Sequence, residues 1–368
     1  MDANSAEGGA KSRRHRRKHW RNRRAGGKPQ MRGPAPPQGQ GPVYGALDLG
    51  TNNCRLLLAV PAAEGFTVVD AFSRIVRLGE GVSQSGRLAD EAMERTIEAL
   101  RICANKLAFR KVNRHRLIAT EACRAAANGE QFIARVARET GLQLEIIDRE
   151  TEAGLAVAGA APLLAPEAGS AVVFDIGGGS TELMWLDIAA DGTYSAREWT
   201  SLPAGVVTLA EKFGGRDVTP AIYASIREWL RPLVAEFRDR VAQRVPGSTP
   251  GHLLGTSGTV TTIAGVQLGL RRYDRSRVDG CWLQARDITR VTADLLAMDY
   301  EARAQSPCIG RDRADLVLAG CAILEEIREA FPAPRLRVAD RGLREGILTR
   351  LMLEDGTWGK IHGEARDG

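Results

Sequence analysis

Two stretches of the chain share one pattern. VYGALDLGTNNCRLLLAV (43–60) and AVVFDIGGGSTELMWLDI (171–188) each run as an apolar strand into Asp-X-Gly, turn over small or hydroxyl residues, and resume as an apolar strand. Their aspartates, Asp48 and Asp175, lie 127 residues apart. A second pair, HRLIATEACR (115–124) and HLLGTSGTVTT (252–262), leads each time from a strand to a threonine at an expected helix start, with Thr120 and Thr256 136 residues apart. Two strand, hairpin and helix units at nearly the same separation imply an internal duplication. The expected fold class is α/β, with two like domains facing each other across a cleft.

The chemistry is expected at the hairpin tips. Gly177, Gly178 and Gly179 lack a Cβ, so they can take positive φ and bring backbone N–H groups close to an anion. Asp175 beside them would repel a phosphate unless a divalent cation lay between, and Mg2+ suits an oxygen site that keeps some waters. Three glycines alone would equally make a loose turn. The second copy at 48–56 argues against that reading.

These residues resemble the exopolyphosphatase and guanosine pentaphosphate phosphohydrolase (Ppx/GppA) family, within the actin, sugar kinase and Hsp70 superfamily. The resemblance runs from about Val43 to about Leu353 through six ordered motifs: DLGTNNCRL (48–56), ATEACRAAAN (119–128), ETEAGL (150–155), FDIGGGSTEL (174–183), GTSGTVTT (255–262) and DRGLREGIL (340–348). It implies two ribonuclease H-like, actin-type domains across an interdomain cleft. The expected division is 43–158, 159–340, and a helix at 341–358 returning to the first domain. It also implies metal-dependent hydrolysis of a terminal phosphoanhydride, with inorganic polyphosphate or guanosine pentaphosphate as substrate, and a homodimer.

Carried over residue by residue, the resemblance makes Glu152 the group that activates water and Asp175 and Glu182 the catalytic carboxylates that hold Mg2+ or another divalent cation. Phosphate would be bound by Asp48, Gly50, Thr51, Asn52 and Arg124 from the first half, and by Gly177, Gly178, Gly179, Ser180, Thr181, Gly255, Ser257 and Gly258 from the second. A guanidinium at Arg124 suits this, since it can bridge two phosphate oxygens; paired with Glu121 or Glu130 it would be an ordinary surface arginine. The sequence departs from the family pattern at Thr151, where a second glutamate is frequent, at Gly154, where arginine is frequent, and at Asn53, which replaces a hydroxyl residue. A kinase-like or chaperone-like ATPase would use the same hairpins for ATP, and a non-catalytic polyanion-binding protein would bind without turnover.

Residues 1–42 hold eleven Lys or Arg against Asp2 and Glu7, a net charge of +9 in a chain whose total is +6, so the remainder is net −3. This segment lacks a periodic apolar face and is expected to be a disordered tail able to contact RNA or another polyanion. No apolar run follows its charges and none approaches a membrane span, so a cytoplasmic protein is expected. Six scattered cysteines without metal-ligand spacing read as reduced thiols. Apolar spacing predicts a helix over 90–109 with Ile97, Leu100, Cys103 and Leu107 on one face. It also predicts a helix from about Glu121 carrying Arg124 and Asn128 on a shared face, a helix over 149–160, and a polar, loose end after Trp358.

Overall fold

The computed structural model describes residues 41–63 and 65–357. The expected basic tail, apart from Gly41 and Pro42, and the expected loose end after Trp358 lie outside the described residues. Within them, two sheets repeat one topology. In the first, β1 (Tyr44–Leu49), β2 (Asn53–Ala62) and β3 (Gly65–Ile75) form an antiparallel meander. Beyond β1, β4 (Arg114–Ala119) and β5 (Glu145–Ile146) add in parallel, giving the order β3-β2-β1-β4-β5. In the second, β6 (Ser170–Ile176), β7 (Thr181–Ile188) and β8 (Tyr194–Leu202) repeat the meander. β9 (His252–Thr256), β10 (Trp282–Gln284) and β11 (Arg335–Ala339) extend it, β9 and β11 in parallel and β10 antiparallel at the edge.

The duplication holds at the level of register. Asp48 lies opposite Arg55 and Asp175 opposite Glu182. Each tip closes on the same bond, Gly50 N–H to the Asn53 carbonyl and Gly177 N–H to the Ser180 carbonyl, both 2.9 Å. The offset of 127 therefore relates Asn53 to Ser180 and Arg55 to Glu182. The threonine pair drifts by one residue. Thr256 is the last residue of β9, and the residue before the helix Gly258–Gln267 is Ser257, so Ser257 rather than Thr256 matches Thr120, which precedes the helix Glu121–Ala125.

Strand alternation sorts the side chains into four layers. Leu47 and Leu49 of β1 face an outer core with the helix Asp90–Phe109, whose Ile97, Leu100, Cys103 and Leu107 are buried as expected. Val172, Phe174 and Ile176 of β6 face the outer core of the second half. The inner faces meet two central helices, Arg149–Ala160 and Leu343–Glu354. Tyr44 and Ala46 pack with Leu155, Ile347 and Met352, while Ala171 and Val173 pack with Ala153, Val157 and Ala160. The helix Leu343–Glu354 thus lies on the first sheet.

One expected element is different. The helix at Glu121 stops at Ala125, and Asn128 precedes a separate helix, Gly129–Thr140. Asn128 and Arg124 therefore share no helix face. The Asn128 amide brackets Leu88 instead, accepting from its N–H at 2.8 Å and donating to its carbonyl at 3.0 Å. Those two bonds hold the chain in a turn between the two helices.

Candidate active site

Asp48 and Asp175 occupy the inner-face parity of β1 and β6, one step past the last packed apolar residue on that face. Their cross-strand neighbours Arg55 and Glu182 share the parity. Both hairpins therefore deliver polar side chains to the place where the two inner faces part, and a cleft opens there between the tips. It is lined by Asp48, Gly50, Thr51, Asn52, Glu152, Asp175, Gly177, Gly178, Gly179, Ser180, Ser257 and Gly258, all expected from the sequence. Glu152 reaches it from the first turn of its helix, whose N-cap is Asp148, with the Asp148 carboxylate accepting from Thr151 N–H at 2.7 Å.

The glycines are explained differently from the expectation. None of Gly177, Gly178 and Gly179 stands in the left-handed region of positive φ. What matters is close approach: a Cβ on Gly178 would lie 2.9 Å from Thr51 Cβ, and one on Gly179 would lie 2.9 Å from both Thr51 Oγ1 and Glu121 Cγ. Carbonyls of this tip are taken up by the helix Val206–Phe213, which donates from Val206 to Gly177 at 3.0 Å and from Val207 to Gly178 at 2.8 Å. The amides of Thr51, Asn52, Gly178 and Gly179 make no hydrogen bond within the described residues. Two facing tips thus present free N–H groups, beside the N-terminus of the helix Gly258–Gln267, an arrangement that favours an anion. Asn52 Oδ1 is also buried without a partner among the described residues. Ser257 stands at φ 129°, a conformation that L-residues rarely adopt, which places backbone strain at the cleft.

The carboxylates repel one another. Burial raises the pKa of Glu152, and Glu182 raises it further; burial and then Asp175 do the same to Glu182. Burial also raises Asp48 and Asp175, against the neighbouring Arg55. Arg124 counters this charge. Its guanidinium donates from Nη2 to Glu152 at 3.0 Å and to Glu121 at 2.5 Å, from Nε to Glu121 at 3.1 Å, and from Nη1 to the Ile147 carbonyl at 2.7 Å. Arg149 holds the other Glu121 oxygen at 2.9 Å. Arg124 is therefore gripped beside the cleft and is not among its lining residues.

Three other expected residues stand back from the cleft. Thr181 is fully buried and donates to the Ala204 carbonyl at 2.6 Å, which braces the hairpin. Gly255 lies under Phe174, where a Cβ would come within 2.6 Å of the ring. Glu182 is buried behind the tip and accepts from the Ser180 and Ser201 hydroxyls, both at 2.8 Å. Gly154 points toward the other central helix, its Cβ position 3.4 Å from Arg350, so the lost arginine there leaves no gap in the lining. Reasoning from sequence missed Arg55, Glu121 and Arg313, which do line the cleft. The first two sat inside quoted motifs, and the register opposite Asp48 could have found Arg55. Arg313 enters from a turn with no motif of its own.

The residues fit a hard divalent cation. Glu121 and Glu152 on the cleft wall are held by Arg124, whereas Asp48 and Asp175 line it without an ion pair among the described residues, and a cation would relieve these two carboxylates. Among the described residues no group of three His, Cys, Asp or Glu side chains can cage an ion by itself. That suits Mg2+, which is commonly held by one or two carboxylates with waters and substrate phosphate.

A family model described as the Ppx/GppA phosphatase family matches residues 58–355. The chain is 32% identical over 319 residues to Exopolyphosphatase 2 of Mycobacterium tuberculosis, covering 83% of this chain and 97% of that one. It is 28% identical to the guanosine-5'-triphosphate,3'-diphosphate pyrophosphatase of Aeromonas salmonicida, over 84% of this chain but 60% of that protein. The crystal structure of the Aquifex aeolicus Ppx/GppA family member superposes with a TM-score of 0.71 at 31% identity, covering 85% of this chain and 98% of that one. With the two duplicated sheets and the carboxylate-lined cleft between their hairpin tips, these likenesses place the chain in the Ppx/GppA phosphatase family, a family of phosphoanhydride hydrolases built on two actin-like domains.

Proposed function

We propose that the protein is an exopolyphosphatase that removes the terminal phosphoryl group of inorganic polyphosphate as orthophosphate. The observation that carries this reading is the pair of facing tips with free amides, next to the Arg124-held Glu152. Phosphoryl transfer asks mainly for positioning and charge neutralisation. The amides of Thr51, Asn52, Gly178 and Gly179 hold the terminal phosphoryl oxygens, and Arg55 and Arg313 offset its charge. Glu152 accepts the proton of the attacking water. The water oxygen bonds to phosphorus, the bridging P–O bond breaks, and its electron pair leaves on the shortened chain. Mg2+, held by Asp175 from the cleft wall with Glu182 behind it fixing Ser180, would supply further neutralisation of the phosphoryl oxygens.

Hydrolysis of guanosine pentaphosphate is the second reading, favoured by the name of the Aeromonas relative and by a chamber beside the cleft where the Tyr273 ring lies among balanced charges. The residues of 1–42 are proposed as an additional polyanion contact, and a cytoplasmic location is proposed. Among the described residues no helix is long and apolar enough to cross a membrane.

Phosphate release from polyphosphate and from guanosine pentaphosphate, with and without Mg2+, tests both readings. Glu152→Gln should lower kcat by about 10²- to 10⁴-fold while polyphosphate binding survives. Asp175→Asn should raise the Mg2+ concentration for half-maximal rate. An unchanged Mg2+ titration would return the cation to other ligands, and wild-type turnover in Glu152→Gln would move the base elsewhere.

A further inference from the structure

Substrate longer than the cleft must leave it by some path, and two cavities adjoin it. The chamber that contains Tyr273 is lined by Arg55, Arg313, Arg341 and Arg344 against Asp48, Asp175, Asp340 and Glu345. Its charge is balanced, and Arg341 is further committed to Asp279, which accepts from its Nε at 3.0 Å. The second cavity is a groove along β3, lined by Arg74, Arg77, Arg95 and Arg313 against Asp312 alone, with Asn53 and Ser73 as hydrogen-bonding neighbours. Arg77 is neutralised by Asp315, and Arg95 has an exposed pair with Glu80 at 3.4 Å. Arg74 and Arg313 have no ion pair among the described residues; Arg74 lies only over the Phe72 ring, at 5.5 Å.

Arg313 lines the cleft and the groove, as does Asn53 in the β1–β2 tip. The groove is thus continuous with the cleft between the two tips. A polyanion passing this way meets unpaired guanidinium groups in succession, whereas the chamber would set every arginine contact against a carboxylate.

Resting on the exopolyphosphatase reading, we propose that the groove along β3 is the exit track for the distal phosphates of a long polyphosphate chain, with Arg74 as its outer contact. The track governs chain-length preference, because tripolyphosphate ends before it. Steady-state kinetics of Arg74→Glu on long-chain polyphosphate and on tripolyphosphate test this. Arg74 is exposed, so the change spares the core.

The KM for long chains should rise roughly three- to tenfold at low ionic strength, with kcat for both substrates and KM for tripolyphosphate unchanged, and the difference should fade as salt rises. Arg74→Gln should act in the same direction and less. Arg272→Glu, an exposed charge reversal outside the groove, should leave both KM values alone. Equal changes for both substrates, no change for either, or the same effect from Arg272→Glu would overturn the track while leaving the activity intact. Absence of phosphate release from either substrate by the wild-type protein would instead remove the exopolyphosphatase reading, and the track with it.

Discussion

Arg124 is bound at once by Glu121, Glu152 and the Ile147 carbonyl. Its pairing with Glu121 was legible three positions away on one helix. The bond to Glu152 was not, because it depends on two helices meeting across 28 residues of chain. The geometry gives Arg124 a positioning role: it holds the carboxylate of the proposed base while that group is crowded by Glu182. Lysine would keep the charge but lose the fork that serves three acceptors together. Arg124→Lys should therefore lower kcat by about 10- to 100-fold, with a smaller change in KM, in steady-state assays of phosphate release. A KM change with kcat intact would make Arg124 a substrate contact instead.

Elements were mostly readable because their apolar periods are strong. The helix Asp90–Phe109 and the strands flanking both hairpin tips fall where spacing puts them, whereas Gly129–Thr140 was missed because Asn128 and Gly129 interrupt the pattern. The contact between the central helices was not readable at all. A Cβ on Gly346 would sit 2.0 Å from the Leu155 carbonyl oxygen, and one on Gly159 would sit 1.9 Å from the Gly342 carbonyl oxygen. Glycine inside a helix costs about 1 kcal/mol in propensity, so its presence at this crossing reflects backbone contact. Gly346→Ala should destabilise the protein by about 1–3 kcal/mol in chemical denaturation, and unchanged stability would show that the helices separate freely.

At the start of β9, His252 is fully buried, edge-on to Trp282, with neither ring nitrogen bonded among the described residues. Burial, with Arg335 and Arg337 adding to it, lowers its pKa to about 4. The unfolded chain, with a value near 6.5, binds the proton more readily between these limits. Stability from neutral His252 is thus fully present above about pH 6.5 and lost as pH falls toward 4, by about 3 kcal/mol in all. His252→Leu should remove that part of the acid slope; unfolding free energies measured at neutral pH and near pH 4.5 check it, and an equal slope in both proteins would exclude His252 as its source.

At the scale of the molecule, the two halves are joined across the mouth of the cleft by contacts that no local pattern announces. After β3, Arg77 takes φ 48° and its guanidinium grips both oxygens of Asp315, at 3.0 and 3.2 Å. Close by, Glu211 accepts from Gly81 N–H at 2.7 Å and from the Ser83 hydroxyl. Positive φ is unfavourable for an arginine, and the bond to Asp315 offsets that strain. The pair is half-buried and doubly bonded, a type of bond worth about 1.5–3 kcal/mol, so breaking it should shift the balance of closed and open forms by roughly tenfold or more. The effect on substrate depends on how much closed form remains, since apparent affinity scales with the competent fraction. Asp315→Asn combined with Glu211→Gln should therefore enlarge the radius of gyration of the substrate-free protein in small-angle scattering. It should also raise KM for tripolyphosphate, which is too short for the groove along β3, by about three- to tenfold with little change in kcat. An unchanged radius together with an unchanged KM would mean that the contacts of Thr51 with Gly178 and Gly179 hold the halves together without the latch.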